Sequence, residues 1–392
     1  MSASSPQIRS SWLTDPQVRA WVFQILSIIA VVAIGWYLFD NTQTNLEKRG
    51  ITSGFSFLNN SAGFGIAQHL IDYTESDSYG RVFVVGLLNT LLVSLIGIVL
   101  ATIIGFILGV ARLSPNWLIS RLATVYIETF RNIPPLLQIF FWYFAVLLPL
   151  PGPKQSLNIG DAFFLSNRGL NMPGPAPGEG FWPFVIALAL TIAAIFLLVR
   201  WVRKRFEATG ETFPALITSI AMLLVIPGMA VLVFGNPFDW TVPEMKGFNF
   251  RGGLVVIPEL IALTLALSIY TASFIAEIVR SGIQAVSHGQ TEAARSLGLK
   301  PSVTLRKVII PQALRVIIPP LTSQYLNLVK NSSLAAGIGY PDMVSLFAGT
   351  VLNQTGQAIE VIAITMSVYL SISISISILM NWYNSRIALV ER

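Results

Sequence analysis

Two pairs of opposite charge sit three residues apart in otherwise apolar sequence: Glu128 with Arg131, and Glu277 with Arg280. That spacing places both members of a pair on one face of a helix, and ionisable groups inside a bilayer are either functional or paired. Both pairs fall toward the ends of their apolar runs, where a charge costs little. They read best as interfacial anchors or inter-helix salt bridges that close one side of a bundle. Asn89, Thr90, Ser268, Gln324 and Asn327 lie deeper in the apolar runs. Uncharged groups of this kind can line a pocket for a small polar solute, with Pro134, Pro135, Pro319 and Pro320 freeing backbone groups beside it. Covalent chemistry is poorly provided for. There is no cysteine, which excludes thiolates, disulfides and Cys-ligated metals. His69 and His288 have no partners at metal-ligand spacing and read as solvated side chains. No His-Glu-x-x-His, no serine elbow and no Gly-Lys dipeptide occurs, so there is no Walker loop to hydrolyse ATP.

The elements that must position these residues are membrane spans. Of 392 residues 54% are hydrophobic and only 11% charged, whereas a soluble domain is typically about one quarter charged. The net charge of +6 is scattered through loops and gives no nucleic-acid footprint. Spans need roughly 20 apolar residues, and eight candidates follow at 20–39, 84–110, 123–148, 183–202, 213–235, 256–280, 310–330 and 357–380. The expected fold is an all-α integral membrane protein. The first run follows a polar segment containing Arg9, Asp15 and Arg19 and is read as an uncleaved helix. Ser371 to Ser377 alternates like a strand, but it lies inside a run of span length and is read as helix.

Charge asymmetry orients the chain. With both termini in the cytoplasm, Arg112, Arg121, Arg200, Arg203, Lys204, Arg205, Arg295, Lys300, Arg306, Lys307 and Arg392 are among the basic residues inside. Lys48, Arg49, Arg81, Lys154, Arg168, Lys246 and Arg251 fall outside, a bias of about two to one. The outer segments 40–81 and 149–183 are too long for turns. In the second span Gly97, Ala101, Gly105 and Gly109 form a ladder of small residues that permits close helix packing.

The inner loop 281–307 carries helix punctuation of its own. Ser287 and Gln290 fit a capping box, Thr291 to Leu297 is good helix material, Gly298 sits at a left-handed C-cap, and Pro301 follows. So short a helix is marginal alone in water and needs a partner; its small apolar face (Ala293, Ala294, Leu297) suits a shallow groove. Glu292-Ala293-Ala294, three residues, Gly298, nine residues and Val308-Ile309-Ile310-Pro311 together resemble the EAA loop of ABC importer permeases. The segments Asn89–Ser94, Glu128–Gln138, Tyr270–Gly282 and Leu328–Leu334 are similar to the polar amino-acid permease family, and the enlarged chain resembles its general or neutral L-amino-acid branch.

That resemblance implies a division of the chain and a function. Residues 84–148 and 256–392 would hold a five-helix type I core, with 1–83 and 149–255 adding a first span, a hairpin and outer loops. Glu292, Ala293, Ala294, Gly298 and Pro311 would couple the chain to a separate ATPase that carries the MgATP, this chain binding no cofactor itself. A second, homologous permease forming a heterodimer, a periplasmic amino-acid-binding protein and membrane lipid would be its partners, in a bacterial inner membrane. The alternative is an ion-coupled secondary transporter, which commonly places a carboxylate at mid-membrane; no span here does so.

Overall fold

A computed structural model describes residues 16–48 and 54–387. Arg9, Asp15, Arg49 and Arg392 lie outside them. Helix α1 (Pro16–Lys48) is followed by a 3-10 turn at Phe55–Asn59, then α2 (Tyr79–Arg112), α3 (Trp117–Asn132) and α4 (Pro135–Phe140), which continues as a π-helix to Leu147. Strands β1 (Leu157–Ile159), β2 (Phe163–Ser166), β3 (Gly169–Met172) and β4 (Gly174–Pro177) precede the hairpin α5 (Phe181–Thr209) and α6 (Ala215–Phe234). After it come β5 (Phe238–Thr241), β6 (Glu244–Lys246), β7 (Asn249–Arg251), β8 (Leu254–Val256) and α7 (Pro258–Gln284). The chain ends with α8 (His288–Ser296), α9 (Pro301–Thr304), a π-turn at Leu305–Ile309, α10 (Ile310–Asn331), α11 (Leu352–Thr355) and α12 (Ala358–Ile387).

Six of these helices are long and apolar enough to cross a membrane: α1, α2, α5, α6, α7 and α12. Two expected spans differ. The run 123–148 breaks at Ile133 and Pro134, both in extended conformation. Pro134 and Pro135 lack the N–H groups a continuous helix needs, and a proline disfavours helical geometry in the residue before it. The amphipathic α3 and the short apolar α4 result. The run 310–330 does form a 22-residue helix, α10, but Gln312, Arg315, Gln324, Asn327 and Lys330 make it too polar to count by composition. The Ser371–Ser377 alternation is helical, inside α12.

The all-α expectation holds for the bundle and not for the loops. The Gly/Pro-rich segment after α4 and the stretch before α7 fold onto each other as short antiparallel strands, in sheets ordered β1-β2-β3-β8, β4-β5 and β6-β7. Met172 faces Leu254 and Leu170 faces Val256, so β8 hands this sheet directly to the start of α7.

The core lies where α2, α4, α7 and α10 meet, around the fully buried Leu263, Leu267, Ile275, Ile317 and Leu328. Gly97 abuts Leu328, while a Cβ added at Gly105 would fall 2.6 Å from the Cβ of Ile275. The glycine ladder therefore serves bundle packing within the chain. A second cluster joins Phe57, Val82 and Val85 to Phe347 and Val361 around the first turns of α2.

Candidate functional site

Helix α8 is a separate nine-residue helix. It starts at Ser287, as expected, but the Ser287 side chain makes no capping hydrogen bond. Gln290 is instead engaged elsewhere: its Oε1 accepts from Gln312 Nε2 at 3.1 Å, tying α8 to the start of α10. The C-terminal signal is realised in full. Gly298 has φ +71°, its N–H donates to the Arg295 carbonyl at 2.8 Å, and the Leu299 N–H reaches back to Ala294 O at 3.1 Å. This is a Schellman closure that needs a residue comfortable in the left-handed region. The expected apolar face divides. Ala294 is buried against the body, whereas Ala293 and Leu297 are exposed, Leu297 at 79%. Glu292 is exposed and bonds His288 Nδ1 at 3.1 Å, an i,i+4 partner the spacing argument overlooked. Pro311, also exposed, opens α10.

The charged residues near this end join differently from the expected pairing. Glu277 and Arg280 do pair. Glu128 and Arg131 do not pair with each other: Glu128 Oε1 takes Arg112 Nη2 at 3.4 Å, and Arg131 makes no ion pair among the described residues. Arg112, the last residue of α2, also donates through Nη1 to Glu277 Oε2 at 2.5 Å. Its backbone carbonyl accepts from Ser120 Oγ at 2.9 Å. One guanidinium thus fastens α2 to both α3 and α7. Sequence spacing could not find it, because Arg112 reaches Glu277 across 165 residues.

The pocket candidates separate into two groups. Gln324 and Asn327 come together with Tyr270, Thr271, Phe274 and Asn331 around a cavity of about 250 Å³ between α7 and α10. Asn89 and Thr90 do not reach it. Both are fully buried, where Asn89 Nδ2 donates to Gln68 O at 2.8 Å and Pro341 O at 2.9 Å, and Thr90 Oγ1 accepts from Met343 N at 3.0 Å. They clip the connector after α10 onto α2. Ser268 is buried and does not line the cavity either. At the α3–α4 break Gln138 Nε2 donates to Phe130 O at 2.9 Å and Ile133 O at 3.0 Å. The Phe130 carbonyl is the one that Pro134, lacking an N–H, leaves unpaired.

Residues 201–389 match the family described as binding-protein-dependent transport system inner membrane component. Over 378 residues the chain is 65% identical to the putative amino-acid ABC transporter permease protein YhdX of Escherichia coli (strain K12), covering 96% of each. The chain belongs to the ABC transporter permease family. This permease is also 52% identical over 382 residues to the general L-amino acid transport system permease protein AapQ of Rhizobium johnstonii, covering 97% of this chain and 95% of that one. With the glutamate/glutamine/aspartate/asparagine transport system permease protein BztB of Rhodobacter capsulatus it shares 44% identity over 414 residues, covering 98% and 97%. Among the described residues of the permease no group of three or more His, Asp or Glu could hold a metal ion.

Proposed function

We propose that this permease imports L-amino acids across the bacterial inner membrane by alternating access, with α8 as its contact to a separate ATPase. The carrying observation is the 65% identity over nearly the whole chain to an amino-acid ABC permease. The same likeness disfavours the ion-coupled carrier. In this reading MgATP sits on the partner ATPase and the chain binds no cofactor. Closure of the ATPases displaces α8 through its exposed Glu292, Ala293 and Leu297, and the displacement passes to α7 and, through Gln290 and Gln312, to α10. The helices α2, α4, α7, α10 and α12 act as the transport core; α1 and the α5–α6 hairpin are additions to it.

The substrate reading rests on the cavity between α7 and α10. Amide groups both donate and accept, so Gln324, Asn327 and Asn331 suit the ammonium and the carboxylate of one amino acid. No ionised side chain lines the cavity, which suits a carrier with little preference for side-chain charge. A second permease is supported by the outward side of α10, where Pro319, Pro320, Ser323 and Lys330 are exposed. Polar groups facing hydrocarbon are costly, and a partner helix would cover them. A periplasmic binding protein would meet the end that carries the strands.

The decisive experiment purifies the tagged chain from its native membrane and reconstitutes what accompanies it. ATP-dependent uptake of L-amino acids by an assembly containing an ATPase and a second permease supports the proposal. Uptake without ATP overturns it. Gly298→Leu, forced into a left-handed backbone, is expected to lose the ATPase from the assembly while the bundle stays folded. Orientation is read with Leu297→Cys, the sole thiol in a chain without cysteine: a membrane-impermeant maleimide should label it only from the cytoplasmic side.

A further inference from the structure

Helix α8 is joined to α7 by residues 285–287. The last turns of α7 carry Glu277, Arg280 and Gln284, linked in series: Arg280 bonds Glu277 and donates through Nη1 to Gln284 Oε1 at 2.5 Å. Arg112 joins this chain of bonds from outside, holding Glu277 at 2.5 Å with one nitrogen and Glu128 of α3 at 3.4 Å with another. The side chains of Arg112 and Glu277 are only 20% and 28% exposed. A guanidinium has a planar fork of donors in fixed geometry, which lets one residue bridge two carboxylates on different helices. Along the α2–α7 contact, Gly105 and Gly109 receive Ile275 and Val279.

We infer that Arg112 is a positioning residue for the transport cycle: it locks α2 and α3 to the α8-proximal end of α7, so that displacement of α8 moves three helices as one body. The inference rests on the importer reading and assigns it a residue that touches neither ATPase nor solute. Loss of Arg112 removes both cross-helix bonds together.

The test uses the assembled transporter in proteoliposomes and measures amino acid transported per ATP hydrolysed. Arg112→Met is expected to keep stimulated hydrolysis within twofold while transport per ATP falls fivefold or more. Arg112→Lys, which holds one carboxylate but cannot fork, should recover part of the loss. Glu277→Gln should reproduce the defect, and the double variant should be no worse than the worse single one, the signature of one shared interaction. Should Arg112→Met fail to assemble, Glu128→Gln, which loosens only the longer arm at a half-exposed carboxylate, is expected to lower the ratio about twofold. An unchanged ratio in Arg112→Met, or in Glu128→Gln where only that variant assembles, overturns the inference. So do additive losses in the double variant. A wild-type assembly that hydrolyses ATP without moving amino acids would instead overturn the importer reading.

Discussion

Helices α7 and α1 are both long enough to cross a bilayer, yet 61% of the apolar window of α7 is buried within the chain and none of that of α1. The added hairpin resembles α1, at 6% for α5 and 11% for α6. Apolar character does not separate the two groups; α7 is the least apolar of the six spans. Lipid tails are as apolar as leucine, so no hydrophobic force drives one span against another, and close fit decides. Helix α7 offers Ala262, Ala266, Ser268, Ala272, Ser273, Ala276 and Gly282, all buried, and α2 meets it with Gly105 and Gly109. Helix α1 presents Trp21, Phe23, Ile28, Val31 and Trp36, all exposed. On α1 the large apolar side chains face outward.

The strongest challenge to this contrast is Gly105→Leu. With its Cβ already 2.6 Å from that of Ile275, the rest of the side chain has no room. The bundle should lose 3 kcal/mol or more, at or beyond the roughly 1–3 kcal/mol typical of overpacking, read as a collapse of the thermal midpoint in detergent. Solute recognition comes next. Gln324→Ala or Asn327→Ala should raise the KM for amino acid about tenfold, on the order of 1.4 kcal/mol, with the bundle's melting unchanged; unaltered transport kinetics in both would remove the cavity from the pathway.

Asp342 sharpens the contrast from the core side. It sits on the connector between α10 and α12, fully buried, accepting from Ser345 N at 2.8 Å and Tyr369 Oη at 3.0 Å. Burial pushes its carboxyl up to about 6 from 3.8. The folded state therefore holds this proton more tightly than the unfolded one. The associated stability is fully present below the unfolded value and is lost as pH rises through about 6. Asp342→Asn should flatten the melting profile between pH 4 and 7 and raise stability at pH 7.5 by up to about 3 kcal/mol. A wild-type profile that is already flat would contradict the buried charge. The smallest effects belong to Gly35→Leu in α1 and Gly228→Leu in α6, where an added Cβ meets nothing within 4 Å. Shifts within about 0.5 kcal/mol are expected; a large one would place these helices against something in the assembly.

Legibility in the sequence followed the range of each interaction. The long spans are readable because twenty consecutive apolar residues mean one thing in a bilayer. Helix α8 and its Gly298 closure are readable because capping acts within a few residues, although Gln290 reached out to Gln312 in place of its own Ser287. Glu277 with Arg280 is an i,i+3 pair and legible for the same reason. The partners of Asn89 and Thr90, the carbonyl of Pro341 and the N–H of Met343, could not be read from spacing because they lie 252 and 253 residues away. A buried asparagine that clips a loop and one that binds a solute look alike until the loop is placed. The strands between α4 and α7 are not legible because they are three or four residues long and two of their pairings, β3 with β8 and β4 with β5, cross the α5–α6 hairpin.

By itself the sequence determined the membrane environment, the position of most helices, the stand-alone α8 and the absence of any thiol or Walker chemistry. These are properties of composition, local hydrogen bonding and spacing. Tertiary structure decided which apolar helices are interior, which polar residues face a cavity, and that Arg112 rather than Arg131 joins Glu128. Shape complementarity and charge pairing act between surfaces that only the fold brings together, and in lipid neither leaves a mark on hydrophobicity along the chain.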